Sequence, residues 1–255
     1  MPFVGILFSL GLIGGIVLYN QLGVERLKID KLTGCPVKGP QSVTIILIDQ
    51  TDHFSPVQIV DIRNQLNKIR EDIPRYGMIS IYPITSVREK IPAPILSVCN
   101  PGSEEEVNRL EESGIRARRK WTNVFSDPLD NVFDKVLMPN EAKTSPIFEN
   151  IQAVSIKEFG DHNRKEIPKS LVVVSDLLQH SNMLSHYKSV GDPDAFIRSK
   201  NFQRMRGELR DVEIELIYLF RNTRNSVQGH KHIKFWKRII ESQNGRIRRV
   251  YNVSG

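Results

Sequence analysis

Residues 42–49 read SVTIILID, apolar or β-branched at almost every position. A half-buried strand alternates apolar with polar side chains, so an unbroken run of this kind predicts a strand covered on both faces. The signature returns in KSLVVVSD (169–176), and VEIELIYLF (212–220) reads as a further strand. YGMISIYPIT (76–85), APILSVCNPG (93–102) and RIRRVYNV (246–253) add three further strands. Between them the period changes. In 55–73, Ile59, Ile62, Leu66 and Ile69 fall at helical spacing, with Ser55 suited to cap and Pro56 to the first helical position. Residues 103–137, 145–159, 192–209 and 230–244 read as helices in the same way. Strands alternating with helices imply an α/β fold: a doubly wound, mostly parallel sheet with helices on both faces and right-handed crossovers.

The chain is 255 residues long, 40% hydrophobic and 25% charged, enough to bury one sizeable core. The simplest division is an N-terminal apolar segment (1–20), a linker (21–41) rich in turn residues at its end, and one domain over 42–255. The two cysteines, Cys35 and Cys99, stand far apart in unlike contexts with no metal-ligand spacing. They read as free thiols in a reducing compartment.

The first twenty residues, MPFVGILFSLGLIGGIVLYN, carry no charged side chain. A run of this length matches the ~17–25 residues a helix needs to cross a hydrocarbon core. It lacks the basic start and the adjoining cleavage site of a signal peptide, so it reads as a retained single-pass anchor. Arg26, Lys28, Lys31 and Lys38 follow it, and the positive-inside rule then puts the globular domain in the cytoplasm.

Ligands of open α/β sheets bind beyond the carboxyl ends of the strands. There the chain offers Asp49, then Thr51 and His53, after the first strand. A later strand offers Ser175 and Asp176, and a helix start in TSPIFENI offers Thr144 and Ser145. Any one of these, read alone, is an ordinary cap. Carboxylates and hydroxyls gathered at one sheet edge suit a hard divalent cation such as Mg2+.

These segments resemble the von Willebrand factor type A family. LIDQTDHFS is similar to its D-x-S-x-S motif, SPIFENI to its TPLYDAL-like helix start, and LVVVSD to the strand that supplies a second aspartate. The resemblance spans about 42–255. It implies a Rossmann-like three-layer sandwich and a metal-ion-dependent adhesion site built from Asp49, Thr51, Ser145 and Asp176, holding Mg2+ or another divalent cation. It further implies a partner protein that offers an acidic residue to the metal, a scaffolding role near the membrane, and no catalysis. The chain departs from the pattern at His53, where the family has its second serine, at Ser145, where a threonine is usual, and at Leu177, where a glycine is common. Imidazole suits zinc or copper better than magnesium.

Two other classes compete. A haloacid-dehalogenase-like phosphatase would use Asp49 as nucleophile and Ser175 in support, with Asp192 and Asp194 as a metal acid pair, but Thr51 stands where that family needs a general acid. A nucleic-acid or anionic-lipid binder would use the basic stretches at 116–120, 198–206 and 246–249, consistent with a net charge of +7. Such stretches more commonly form the wet faces of helices.

Overall fold

The computed structural model describes residues 27–51, 53–84, 93–103, 113–138, 142–160, 164, 166–221 and 227–254. Residues 1–20, read as a membrane anchor, lie outside these. Among the described residues no helix is long and apolar enough to cross a membrane.

The elements in chain order are β1 (Val43–Asp49), α1 (Pro56–Glu71), β2 (Met78–Ile84), β3 (Leu96–Cys99), α2 (Gly114–Trp121), α3 (Asp127–Val136), α4 (Ile147–Val154), β4 (Lys169–Ser175), α5 (Pro193–Ile197), α6 (Lys200–Met205), β5 (Val212–Leu219), α7 (His230–Glu241) and β6 (Arg246–Val253). They form one six-stranded sheet in the order β3-β2-β1-β4-β5-β6. Every pairing is parallel except β2 with β3. The doubly wound, mostly parallel sheet is therefore present, with one antiparallel edge.

Every residue of β1 is buried, and its side chains alternate between two cores. Val43, Ile45 and Leu47 join Leu171, Val173, Ile214 and Leu216 under Phe148 and Ile151 of α4 and Trp236 and Ile239 of α7. Ile46 and Ile48 join Ile79, Ile81, Val172 and Val174 under Ile62 and Leu66 of α1 and Leu129 and Phe133 of α3. This two-sided burial is what a strand without polar alternation demands. Ser55 caps α1 in a reciprocal box with Gln58, and Pro56 opens the helix, as its sequence implies.

Two expectations change. Residues 192–209 are not one helix: α5 ends at Ile197, and Ser199 caps α6 by accepting from the Phe202 amide at 3.2 Å. The two cysteines are not free thiols. Cys35 and Cys99 form a disulfide with Cα atoms 4.9 Å apart, bridging positions 64 apart in sequence. The second half of the expected linker lies along the edge strand, where the Cys99 amide donates to the Thr33 carbonyl at 2.9 Å. Nothing in the spacing of two cysteines in unlike contexts signals such a contact. Disulfides persist in oxidising surroundings and are rare where thiols are kept reduced.

Candidate functional site

The strand order reverses between β1 and β4, since β2 and β3 lie to one side of β1 and β5 and β6 to the other side of β4. In open α/β sheets such a reversal, where the connections leave toward opposite faces, is the place at which ligands bind beyond the carboxyl ends of the strands. Asp49 closes β1 there. Register sets Ile48 beside Val174, so the next residues, Asp49 and Ser175, meet across the strands.

The Asp49 carboxylate is buried, 4% exposed, and fully engaged. Its Oδ2 accepts from Ser145 Oγ and from Ser175 Oγ, each at 2.8 Å. Its Oδ1 accepts from Thr51 Oγ1 at 2.7 Å and from the Thr51 amide at 3.1 Å. These are charge-assisted hydrogen bonds, the stronger kind. Ser145 reaches the carboxylate because its backbone pairs in both directions with His180, in the loop beyond β4 (N to O 2.9 Å each way). Pro146 holds the cap position of α4, and Gln179 Oε1 accepts from the Phe148 amide of its first turn at 3.0 Å, so the Ser145 hydroxyl goes to Asp49 rather than to the helix start.

Asp176 sits one residue past β4, 5% exposed, and faces different partners. Its Oδ1 accepts from the Leu178 amide at 2.9 Å, and its Oδ2 pairs with Arg221 Nε at 3.3 Å. The Asp176 carbonyl accepts from Gln228 Nε2 at 3.0 Å. Leu177 takes a left-handed backbone, φ 59°. That turn is where the resemblance has glycine, the residue that adopts such a φ at least cost. The Leu177 carbonyl accepts from Trp236 Nε1 at 3.0 Å.

The four expected site residues thus divide. Thr51 and Ser145 gather on Asp49, while the Asp176 carboxylate is held by Arg221 and a backbone amide. The imidazole of His53 is exposed, and its carbonyl accepts from Arg221 Nη1. Ser175 and Arg221 complete the cleft. The resemblance assigns neither to the cation site, although Ser175 closes β4 and Arg221 follows the end of β5.

The donor set around Asp49 is all oxygen, as Mg2+ requires. Each hydroxyl directs its proton to the carboxylate and leaves lone pairs facing away from it, although Ser175 Oγ spends one of its two on the Leu177 amide at 2.8 Å. Asp49, Thr51, Ser145 and Ser175 therefore fit a hard divalent ion. Asp176 fits one only if Arg221 moves aside. Among the described residues, no three His, Cys, Asp or Glu side chains gather as a metal-holding group, so such a site depends on hydroxyls.

The residues of the rival readings have other partners. Asp192 caps α5, and Asp194 pairs with Arg238 at 2.8 Å. Arg246 and Arg248 of β6 pair with Glu213, and Arg248 also with Glu215. Arg116, Arg118, Arg119 and Lys120 form the exposed face of α2, whose one buried residue is Ala117.

No known family model and no curated protein matches the chain. Among solved structures it is similar to an aerotolerance-related membrane protein from Bacteroides fragilis, at 9% identity over 83% of this chain and 91% of that one, TM-score 0.39. It is also similar to the conserved hypothetical protein BatB from Bacteroides thetaiotaomicron, at 8% identity over 84% and 91%, TM-score 0.39. The human COPII-coat protein Sec24c matches at 11% identity and TM-score 0.40, over 85% of this chain but 30% of that one. These likenesses lie in the course of the chain, and no residue's role carries over at such identities.

Proposed function

We propose that this chain is a type A-like recognition domain, and that the crevice between β1 and β4 binds a partner protein with the help of a divalent cation. The observation that carries the reading is the convergence of Thr51, Ser145 and Ser175, from three separate segments, on one buried carboxylate at the reversal of strand order. Asp49, Thr51 and Ser145 would hold the ion with Ser175 beside them, and Asp176 would join through its own oxygens or a water. The bound ion supplies a positive site for an acidic side chain of the partner. The chain's own residues hold and orient these oxygens, and the reading contains no bond-making step.

Residues 1–20 would anchor the domain in a membrane. The Cys35–Cys99 disulfide favours the oxidising side of that membrane, against the cytoplasmic placement that the basic flank implies. Thiols of the protein in intact cells should then resist maleimide until a reductant is added. Ready labelling without reductant returns the domain to a reducing compartment.

The interaction itself is tested by recovering partners from membranes with wild type and with Asp49→Ala plus Asp176→Ala, each with and without Mg2+, using circular dichroism to check the fold. Ser145→Ala serves as a milder variant. A partner recovered only by wild type in Mg2+ supports the reading. Equal recovery in all four arms contradicts it.

A further inference from the structure

Arg221 follows β5 and reaches across the cleft. Its Nε pairs with Asp176 Oδ2 at 3.3 Å, and its Nη1 donates to the His53 carbonyl. The guanidinium carbon lies 5.9 Å from the centre of the Phe54 ring. Its own amide donates to Gln228 Oε1 at 2.7 Å, and Gln228 Nε2 donates in turn to the Asp176 carbonyl. One side chain therefore ties the turn after β4 to the loop between β1 and α1. That side chain is 16% exposed and its carboxylate partner 6%, so water screens the pair only partly. A guanidinium stays charged at any physiological pH, and its planar fork can serve a carboxylate and a carbonyl together, which a lysine ammonium does less well.

We propose that Arg221 is the tethered counter-cation of this cleft: it competes with a divalent ion for Asp176, and an ion that takes the carboxylate releases His53 and Phe54 from Arg221. The proposal rests on the cation reading given above. Two cations on one carboxylate repel. A neighbouring charge at this distance shifts a carboxylate's affinity for a proton by about one to three orders of magnitude, and it acts on a metal ion in the same direction. Arg221 thus sets how much free cation the cleft needs before it fills. By linkage, the ion weakens Arg221's hold on Asp176 by the same factor that Arg221 weakens the ion's. The cleft then has two arrangements. In one, the chain's own cation braces His53 and Phe54 against Asp176. In the other, the ion neutralises both carboxylates and the loop ahead of α1 is unbraced.

The test is a calorimetric titration of the full chain with Mg2+, comparing wild type, Arg221→Gln, and Arg221→Gln combined with Asp49→Ala. Glutamine keeps a hydrogen-bonding group of similar reach and removes the charge. The expected result is Mg2+ binding at least ~10-fold tighter in Arg221→Gln than in wild type, and its loss when Asp49 is also replaced. Equal or weaker binding by Arg221→Gln overturns the role of Arg221 and leaves the cation reading standing. Absence of Mg2+ binding in both proteins overturns the two together. A second measurement needs no variant. The Arg221 Nε–H resonance of the wild-type chain should move as Mg2+ saturates the protein. A resonance that stays in place while Mg2+ binds overturns the proposal.

Discussion

Asp49 and Asp176 occupy similar places: each stands at the end of an apolar strand, the strands are neighbours, and both residues are at most 5% exposed. Their surroundings differ. Asp49 accepts from hydroxyls carried on three backbone segments and from the Thr51 amide. Asp176 pairs with the charged guanidinium of Arg221 and accepts from the Leu178 amide of its own turn. A carboxylate held by fixed dipoles is a pre-organised receptor for a cation. A carboxylate paired with a counter-charge of the chain is one for which a second cation must compete.

The largest effect expected from this contrast follows Asp49→Ala. It strips the acceptor from four donors in a buried setting, and hydrogen bonds to charged groups contribute about 1.5–3 kcal/mol each without adding fully. Unfolding in denaturant should show a loss of about 4 kcal/mol. Asp176→Ala should cost less, about 2–3 kcal/mol in the same assay, because it strips an arginine and one amide rather than four donors. Equal losses would erase the distinction between the two ends.

Acid should act at the Asp176 end, where two buried histidines lie under the turn. His186 Nδ1 is 3.0 Å from His232 Nε2, and His232 Nδ1 is 2.8 Å from the Tyr218 hydroxyl. Burial draws His186 down to about 4, and burial with the neighbouring His186 draws His232 down to about 3. In the unfolded chain both bind a proton near pH 6.5. A lowered folded value means that stability is whole above that pH and falls as the pH drops toward 4. At ~1.4 kcal/mol per pH unit for each imidazole, the pair should remove about 3 kcal/mol between pH 7.5 and 5.5. His186→Leu should roughly halve that loss in pH-resolved thermal melts, and an unchanged pH slope would detach the histidines from it.

The smallest effect concerns the turn itself. Leu177 is 1% exposed and holds φ 59°. Leu177→Gly removes ~1–2 kcal/mol of backbone strain but forfeits ~2–3 kcal/mol of burial. A net loss of about 1 kcal/mol is expected in denaturant. A gain in stability would mean that the strain outweighs the packing.

Much of this was legible in the chain because the signals are local. Continuous β-branched runs announce strands buried on two faces, and Asp49 and Asp176 stand visibly at their ends. Ser55 and Pro56 mark a helix start, and Ser199 carried an equally local signal for the break between α5 and α6 that helical periodicity masked. What escaped depends on contacts between distant segments. Ser145 looks like a helix cap until the pairing with His180 turns its hydroxyl toward Asp49. Arg221 is one of many arginines until the sheet sets β5 beside β4. Cys35 meets Cys99 only because residues near Thr33 run along the edge strand.

The central claim is that the oxygens around Asp49 form a cation site. Paramagnetic broadening by Mn2+ in the NMR spectrum of the full chain tests it most directly. The account predicts that trace Mn2+ broadens the amides of Thr51, Ser145 and Ser175 first, and that Asp49→Ala abolishes this. Broadening centred elsewhere, or the same pattern with Asp49 removed, would contradict it.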